Sequence, residues 1–298
     1  MTTEPGGRPR VTLLVTDLDN TLWDWVDAWS KSFETLLERL TVATGLTREV
    51  LEPEIKAVHE QRRTAEYSWL LEELPSLQRL HPAGADLMEQ YDDVMHAFYK
   101  ERKQATRLYD GVLATLTELH GRGVPVLAYT ESLAYWTERR IQELQLDGLI
   151  DVLYSAPDHD KPAGLDLAKK RKRANGEYGL RDTEHRHVPL GTLKPDPHVL
   201  TTILADRDQP ASETVYVGDS LMKDVSMAQE VGVLDVFARY GQPKEGPEYE
   251  LLRRVTWWSD ADVARERAMW QGPTVTPTYT IDNFSELLDL FDFVSSDA

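Results

Sequence analysis

Three short apolar runs, Thr12 to Val15, Val124 to Ala128 and Val215 to Val217, each give way to polar residues and then to a helical pattern. A strand buried in a parallel sheet reads as such a run, because both of its faces are covered. In an open α/β sheet the ligand sits outside the carboxyl ends of the strands, so the residues that follow these runs should converge. They are Asp17 and Asp19 after the first run, Thr130 after the second, and Gly218 and Asp219 after the third. One polar strand end is ordinary turn chemistry. Acidic and hydroxyl ends on several strands at once read as an enzyme site.

The rest of the chain fits a doubly wound parallel sheet. A helix over Tyr135 to Leu144, a strand near Val152 to Tyr154, a helix over His198 to Ala205, a helix over Asp224 to Val231 closed by Gly232, and a strand over Val233 to Phe237 alternate at the spacing of βαβ units. A further strand at Thr278 to Ile281 and a helix at Ser285 to Phe291 follow. Between the first two core strands only helical spacing is found: Trp29, Phe33, Leu36, Leu37 and Leu40, then Val50, Leu51, Ile55 and Val58, then Trp69 to Leu74, then Met88, Tyr91, Met95 and Phe98. Residues 24–108 therefore read as an all-helical cap inserted into the sheet domain. The core is residues 1–23 and 109–298, with a polar insertion at about 157–191 and a C-terminal extension at about 241–298. Aromatic residues at helical spacing are read as cap core, and His59 as a surface or satisfied histidine.

With 298 residues, 41% of them hydrophobic, the chain is long enough for two cores, and no run of about 18 apolar residues suggests a membrane span. Met1 to Arg10 has no apolar segment of the secretory type, so a cytoplasmic location is expected. The absence of cysteine excludes a thiol nucleophile, a disulfide framework and a cysteine-ligated zinc site. A formal net charge of −18 argues against a nucleic-acid partner, because that affinity depends on Lys and Arg neutralising phosphates. The basic run Lys169 to Arg173, inside the polar insertion, reads as a solvated or partly disordered segment, with recruitment of an acidic partner or substrate as the alternative. Oligomeric state has no signature here.

The pattern Asp17-Leu18-Asp19-Asn20-Thr21, the strand-end hydroxyl of Thr130, the Lys194-Pro195 pair, and Gly218-Asp219-Ser220 with the later Asp224 occur in an order that resembles the haloacid dehalogenase (HAD) superfamily, in particular phosphatases with a helical cap after the first strand. Tyr109-Asp110-Gly111-Val112 is similar to the lead-in that these enzymes use before the second strand. The resemblance covers roughly residues 10–25 and 105–240, the cap by position only, and the last fifty-odd residues poorly.

The resemblance implies a Mg²⁺-dependent phosphatase acting on a small phosphorylated metabolite through an aspartyl-phosphate. Asp17 would be the nucleophile. Asp19 would protonate the leaving group and later activate water, its main-chain carbonyl also reaching the metal, and it would face the same way as Asp17 if strand geometry persisted that far. Family members that cleave carbon–halogen bonds lack this second aspartate. Asp17 and Asp219 would hold Mg²⁺, with Asp224 binding directly or in support. Lys194, Thr130 and the main-chain N–H groups around Leu18 and Glu131 would cradle the phosphoryl oxygens. Lys161 also precedes a proline and competes with Lys194. Glu131 stands where the family more often has a small polar residue, and is unfavourable beside a phosphate unless it turns away or meets a cation. A phosphomutase using the same residues, and a non-catalytic phosphate-binding scaffold, remain alternatives. Selectivity among leaving groups is expected from a mobile cap, with Trp25, Arg62 and Arg63 as candidates.

Overall fold

The computed structural model describes residues 7–159, 179–242, 246–256 and 275–296. Lys161, the basic run Lys169 to Arg173, and Trp257, Trp258 and Trp270 lie outside the described residues. Two short strands, β1 (Arg10–Val11) and β9 (Asp292–Phe293), pair in parallel and tie the two ends of the core together. The remaining strands are β2 (Leu13–Thr16), β3 (Val126–Leu133), β4 (Val152–Ala156), β5 (Glu184–His187), β6 (Thr214–Gly218), β7 (Leu234–Ala238) and β8 (Tyr279–Ile281). They form one seven-stranded sheet in the order β5-β4-β3-β2-β6-β7-β8, with every pairing parallel.

The sheet runs outward in both directions from β2, which lies between β3 and β6 and so marks the point where the strand order reverses. A crevice opens at the carboxyl ends there. Successive β2 side chains serve opposite faces: Leu14 packs with Val126, Val215 and the helix Val112–Gly121, while Leu13 and Val15 pack with Leu127, Tyr216 and the helix Pro197–Ala205. All three are fully buried. This double coverage is why the strand reads as an unbroken apolar run.

The helices α1 (Trp25–Thr44), α2 (Arg48–Arg62), α3 (Pro75–Leu80), α4 (Leu87–Gln90) and α5 (Asp92–Ala105) follow β2 and build a second hydrophobic core of their own. Asp24 caps α1 by accepting from the Asp27 N–H at 3.0 Å, and Gly45 ends it in the left-handed conformation. Trp29, Phe33, Leu36, Leu37 and Leu40 line its buried face against α5 and α2. The helix Pro247–Val255, in the C-terminal part of the chain, inserts Leu251, Leu252 and Val255 into this same core. His59, fully buried, is bonded through Nδ1 to the Val255 carbonyl at 2.6 Å, and Arg254 pairs with Glu52 at 2.9 Å.

Several local expectations are corrected. The stretch 157–191 contains β5, a strand of polar residues that among the described residues pairs with β4 alone. Leu221–Val225 is a π-helical turn, so the regular helix there covers Ser226–Val231 alone. Of the two readings of His59, surface or satisfied, the first is set aside: it is buried in the helical core with Nδ1 bonded to the Val255 carbonyl. Among the described residues no helix is long and apolar enough to cross a membrane.

Candidate active site

The chain leaves β2 at Thr16, yet the Asp17 N–H still donates to the Val217 carbonyl at 2.9 Å, so Asp17 is held at the carboxyl end of this central strand. Extended geometry does not persist to Asp19. Leu18 turns its side chain into the sheet core, its carbonyl accepts from the Leu22 N–H at 2.8 Å, and Asn20 adopts a positive φ of 60°. Asn is among the few residues that tolerate that conformation. The turn is clamped from the end of β7: the Tyr240 hydroxyl donates to the Thr21 carbonyl at 2.7 Å, and a Cβ added at Gly241 would stand 1.7 Å from the Asn20 carbonyl oxygen. Only glycine permits this approach.

Around Asp17 the remaining groups come from β3, from the loop beyond β5 and from the segment after β6. Carboxylate oxygens of Asp17, Asp219 and Asp224 lie within 4.8 Å of one another. Lys194 reaches into this cluster, bonding Asp17 Oδ1 and lying 2.9 Å from Asp224 Oδ1. Its ammonium stands over the rings of Tyr129 and Tyr216, at 5.1 and 5.6 Å. Asp224 is oriented by the Tyr216 hydroxyl at 3.1 Å and the Ser220 N–H at 3.1 Å. The π-helical turn swings Asp224 back over Gly218, where a Cβ would fall 2.2 Å from Asp224 Cγ. The Thr21 hydroxyl donates to Asp17 Oδ2 at 3.3 Å. Thr130 is buried on β3, and its hydroxyl accepts from the Ser132 N–H at 3.1 Å.

The electrostatics follow from crowding. Burial, partly countered by Lys194 and reinforced by Asp224, pushes the Asp17 carboxyl up to about 7. Burial and the charges of Asp17 and Asp224 hold Asp219 well above the ordinary carboxylate range. Burial alone would pull Lys194 down, but Asp17 and Asp224 outweigh it and keep the ammonium charged. Three carboxylates around one lysine carry surplus negative charge, and their hard oxygen donors fit a divalent cation such as Mg²⁺. Asp17, Asp219 and Asp224 are the residues that could hold it.

Asp19 is engaged separately. Its Oδ1 accepts from Trp23 Nε1 at 2.6 Å and lies 3.4 Å from Arg140 Nη1, and its Oδ2 accepts from the Ser132 hydroxyl. Burial raises this carboxyl above its ordinary value, with Arg140 opposing. Glu131 turns away from the aspartates: Oε1 accepts from the Lys194 N–H at 2.9 Å, and Oε2 pairs with Lys223 at 2.5 Å. Its charge is thereby met by a cation. Trp23, Ser132, Arg140 and Lys223 were not among the sequence candidates. Of the cap candidates, Arg62 donates through Nε to Glu73 at 3.0 Å and lies over the Tyr67 ring, Arg63 ends α2 at a φ of 55°, and Trp25 stacks on Trp29 at 5.9 Å.

A family model for haloacid dehalogenase-like hydrolases matches residues 11–232. The chain belongs to that family. Solved structures similar to this hydrolase include a 2-haloacid dehalogenase from Pseudomonas syringae pv. tomato DC3000, 19% identical, with 94% of this chain and 97% of that one covered at a TM-score of 0.55. A HAD phosphatase from Thermococcus onnurineus is 16% identical, with 94% and 97% covered at a TM-score of 0.53. At such identities the likeness is one of fold. Among curated proteins no relative matches the hydrolase at a significant level.

Proposed function

We propose that this hydrolase is a Mg²⁺-dependent phosphatase of a small phosphorylated metabolite, working through a phosphorylated Asp17. The observation that carries the reading is the convergence of Asp17, Lys194, Asp219 and Asp224 around one point, with a second aspartate, Asp19, two residues from the first and held by its own set of donors. Asp19 favours phosphoryl transfer over carbon–halogen cleavage, since the dehalogenating members of the superfamily lack it.

Asp17 attacks phosphorus in line; the new bond to its carboxylate oxygen forms as the bond to the leaving oxygen breaks, and Asp19 delivers a proton to that oxygen. Water then attacks the same phosphorus, Asp19 takes the proton back, and free phosphate leaves Asp17 as a carboxylate. Lys194 and Thr130, with the main-chain N–H groups around Leu18 and Glu131, hold the equatorial oxygens, over which the transition state spreads its charge. Asp17, Asp219 and Asp224, with the Asp19 carbonyl, would hold Mg²⁺. When bound, it offsets the charge of the carboxylates and the phosphoryl group.

The test is phosphate release with Mg²⁺ across sugar phosphates, nucleotides and phosphoglycolate, run beside Asp17→Asn. The expected result is turnover of at least one ester by the wild type and none by Asp17→Asn in a folded protein. Full activity in that variant would overturn the reading.

A further inference from the structure

A chain of three buried charges joins the helical cap to the half-buried Asp19. Arg140, on the helix Ala134–Glu143 that follows β3, extends Nη1 toward Asp19 and bonds Glu66 through Nη2. Glu66 belongs to the cap, on the segment after α2. Its Oε1 also accepts from Arg102 Nη1 at 2.6 Å, and its main-chain carbonyl accepts from Trp136 Nε1 at 3.0 Å. Arg102, on α5, donates through Nε to Ser32 at 3.0 Å and is packed between the Phe98 and Trp136 rings at 4.6 and 4.5 Å. The side chains of Arg102, Arg140 and Glu66 are 6%, 4% and 7% exposed.

Two arginines and two carboxylates balance in charge, which is what makes the burial tolerable. The geometry also has a direction. An arginine side chain has several rotatable bonds, and one 3.4 Å contact to Asp19 does not fix it. Arg140 is fixed by Glu66, and Glu66 by Arg102 and Trp136. Three of the four members sit at the junction of cap and core, and the last is the carboxylate that must present its proton to the leaving oxygen.

We propose that Glu66 and Arg140 are positioning residues that seat the Asp19 carboxylate for proton transfer, so that docking of the cap and competence of the acid–base group are one event. This rests on the phosphatase reading above. When the cap lifts, Glu66 leaves with it and Arg140 loses its second anchor. Asp19 then keeps Trp23 and Ser132 as its fixed partners, beside an Arg140 that Glu66 no longer holds in place. Proton transfer is thereby confined to the state in which the cap covers the site.

The test compares two esters. An alkyl phosphate needs a proton on its leaving oxygen, whereas p-nitrophenyl phosphate departs as a stabilised anion. Positioned acid catalysis contributes typically about 10²–10⁴-fold, so Glu66→Gln should lower kcat/KM, which covers the steps through loss of the leaving group, by at least about tenfold for the alkyl ester and by no more than about threefold for the aryl ester, while hydrolysis of the aspartyl-phosphate, common to both, slows alike. Arg140→Lys, which keeps the charge but reaches fewer partners, should show the same split in weaker form. Glu66→Gln leaves two buried arginines poorly matched, so the charge-balanced double variant Glu66→Gln/Arg102→Met serves as a second route, with thermal melting to verify folding. Equal losses of kcat/KM on both esters in folded variants, or no loss on either, would overturn the positioning role while leaving the phosphatase reading intact. A wild-type enzyme that releases phosphate from neither ester would overturn both.

Discussion

His59→Phe should make the stability of this hydrolase less sensitive to acid, with a magnitude set by the site. Burial of His59, opposed by its bond to the Val255 carbonyl, lowers its pKa from 6.5 to about 4. The folded value lies below the unfolded one, so as pH falls the unfolded chain takes up the proton first. The stabilisation is complete above about pH 6.5 and is lost as pH falls toward the folded value. Linkage at 1.36 kcal/mol per pKa unit gives a loss of about 2 kcal/mol at pH 5 and about 3 at pH 4. Phenylalanine fills nearly the same space, and a neighbouring void of about 20 Å³, lined by His59, Phe33, Met95 and Phe98, accommodates the difference. At pH 7 the variant should be less stable by about 1–3 kcal/mol, because the Val255 carbonyl loses its donor. By pH 5 the wild type has lost about as much, and the two should approach parity. Urea unfolding at pH 7, 6 and 5, followed by far-UV circular dichroism, measures this. The carboxylates titrate alike in both proteins and cancel in the difference. A difference constant to within about 0.5 kcal/mol from pH 7 to 5 would refute the assignment of a buried neutral His59.

Two further outcomes concern the aspartate cluster. Asp17 is raised to about 7 in the cation-free protein, so its neutral form is favoured at low pH and a divalent cation competes with the proton. Mg²⁺ should raise the melting temperature little at pH 5 and clearly at pH 8, by about 2.7 kcal/mol of stability at a hundredfold excess over Kd; Asp219→Ala should abolish the increment, and an equal shift at both pH values would contradict the cluster's role. Gly218→Ala places a methyl 2.2 Å from Asp224 Cγ, and overpacking of this kind costs about 1–3 kcal/mol. The variant should melt lower and lose most of its turnover, and wild-type melting would show that Asp224 has room to move.

The strands around the site were legible because burial on both faces leaves a continuous apolar run, as in Leu13, Leu14 and Val15. β5 was not, since Glu184-His185-Arg186-His187 lies at the sheet edge with half-exposed side chains and leaves no apolar pattern. The helix Pro247–Val255 carries an apolar face in Tyr249, Leu251, Leu252 and Val255, but that face is short and set among Pro, Gly and charged residues. Local order fixed the positions of Asp17, Asp219, Asp224 and Lys194 at the ends of elements that the topology gathers. The partners of Asp19 and Glu131 were beyond reach: Arg140 is 121 residues from Asp19, and Lys223 is 92 from Glu131. Such pairings depend on how two elements meet in space, which no local periodicity encodes.

The helix Pro247–Val255 bears on how the protein comes off the ribosome. The groove that receives Leu251, Leu252 and Val255 is walled by α1 and α2, and the cap helices are all translated by Ala105, yet its occupant follows well over a hundred residues later. At 5–20 residues per second that interval is roughly 7–28 s, during which α1 and α2 expose apolar surface and His59 lacks its acceptor. The sheet is interrupted over the same interval, since β3 to β7 are still arriving. Neither layer is complete until the C-terminal segment is out. A chimera that exchanged only residues 24–108 with a relative would therefore inherit an occupant shaped for a different groove, and a working exchange must carry this distant helix as well.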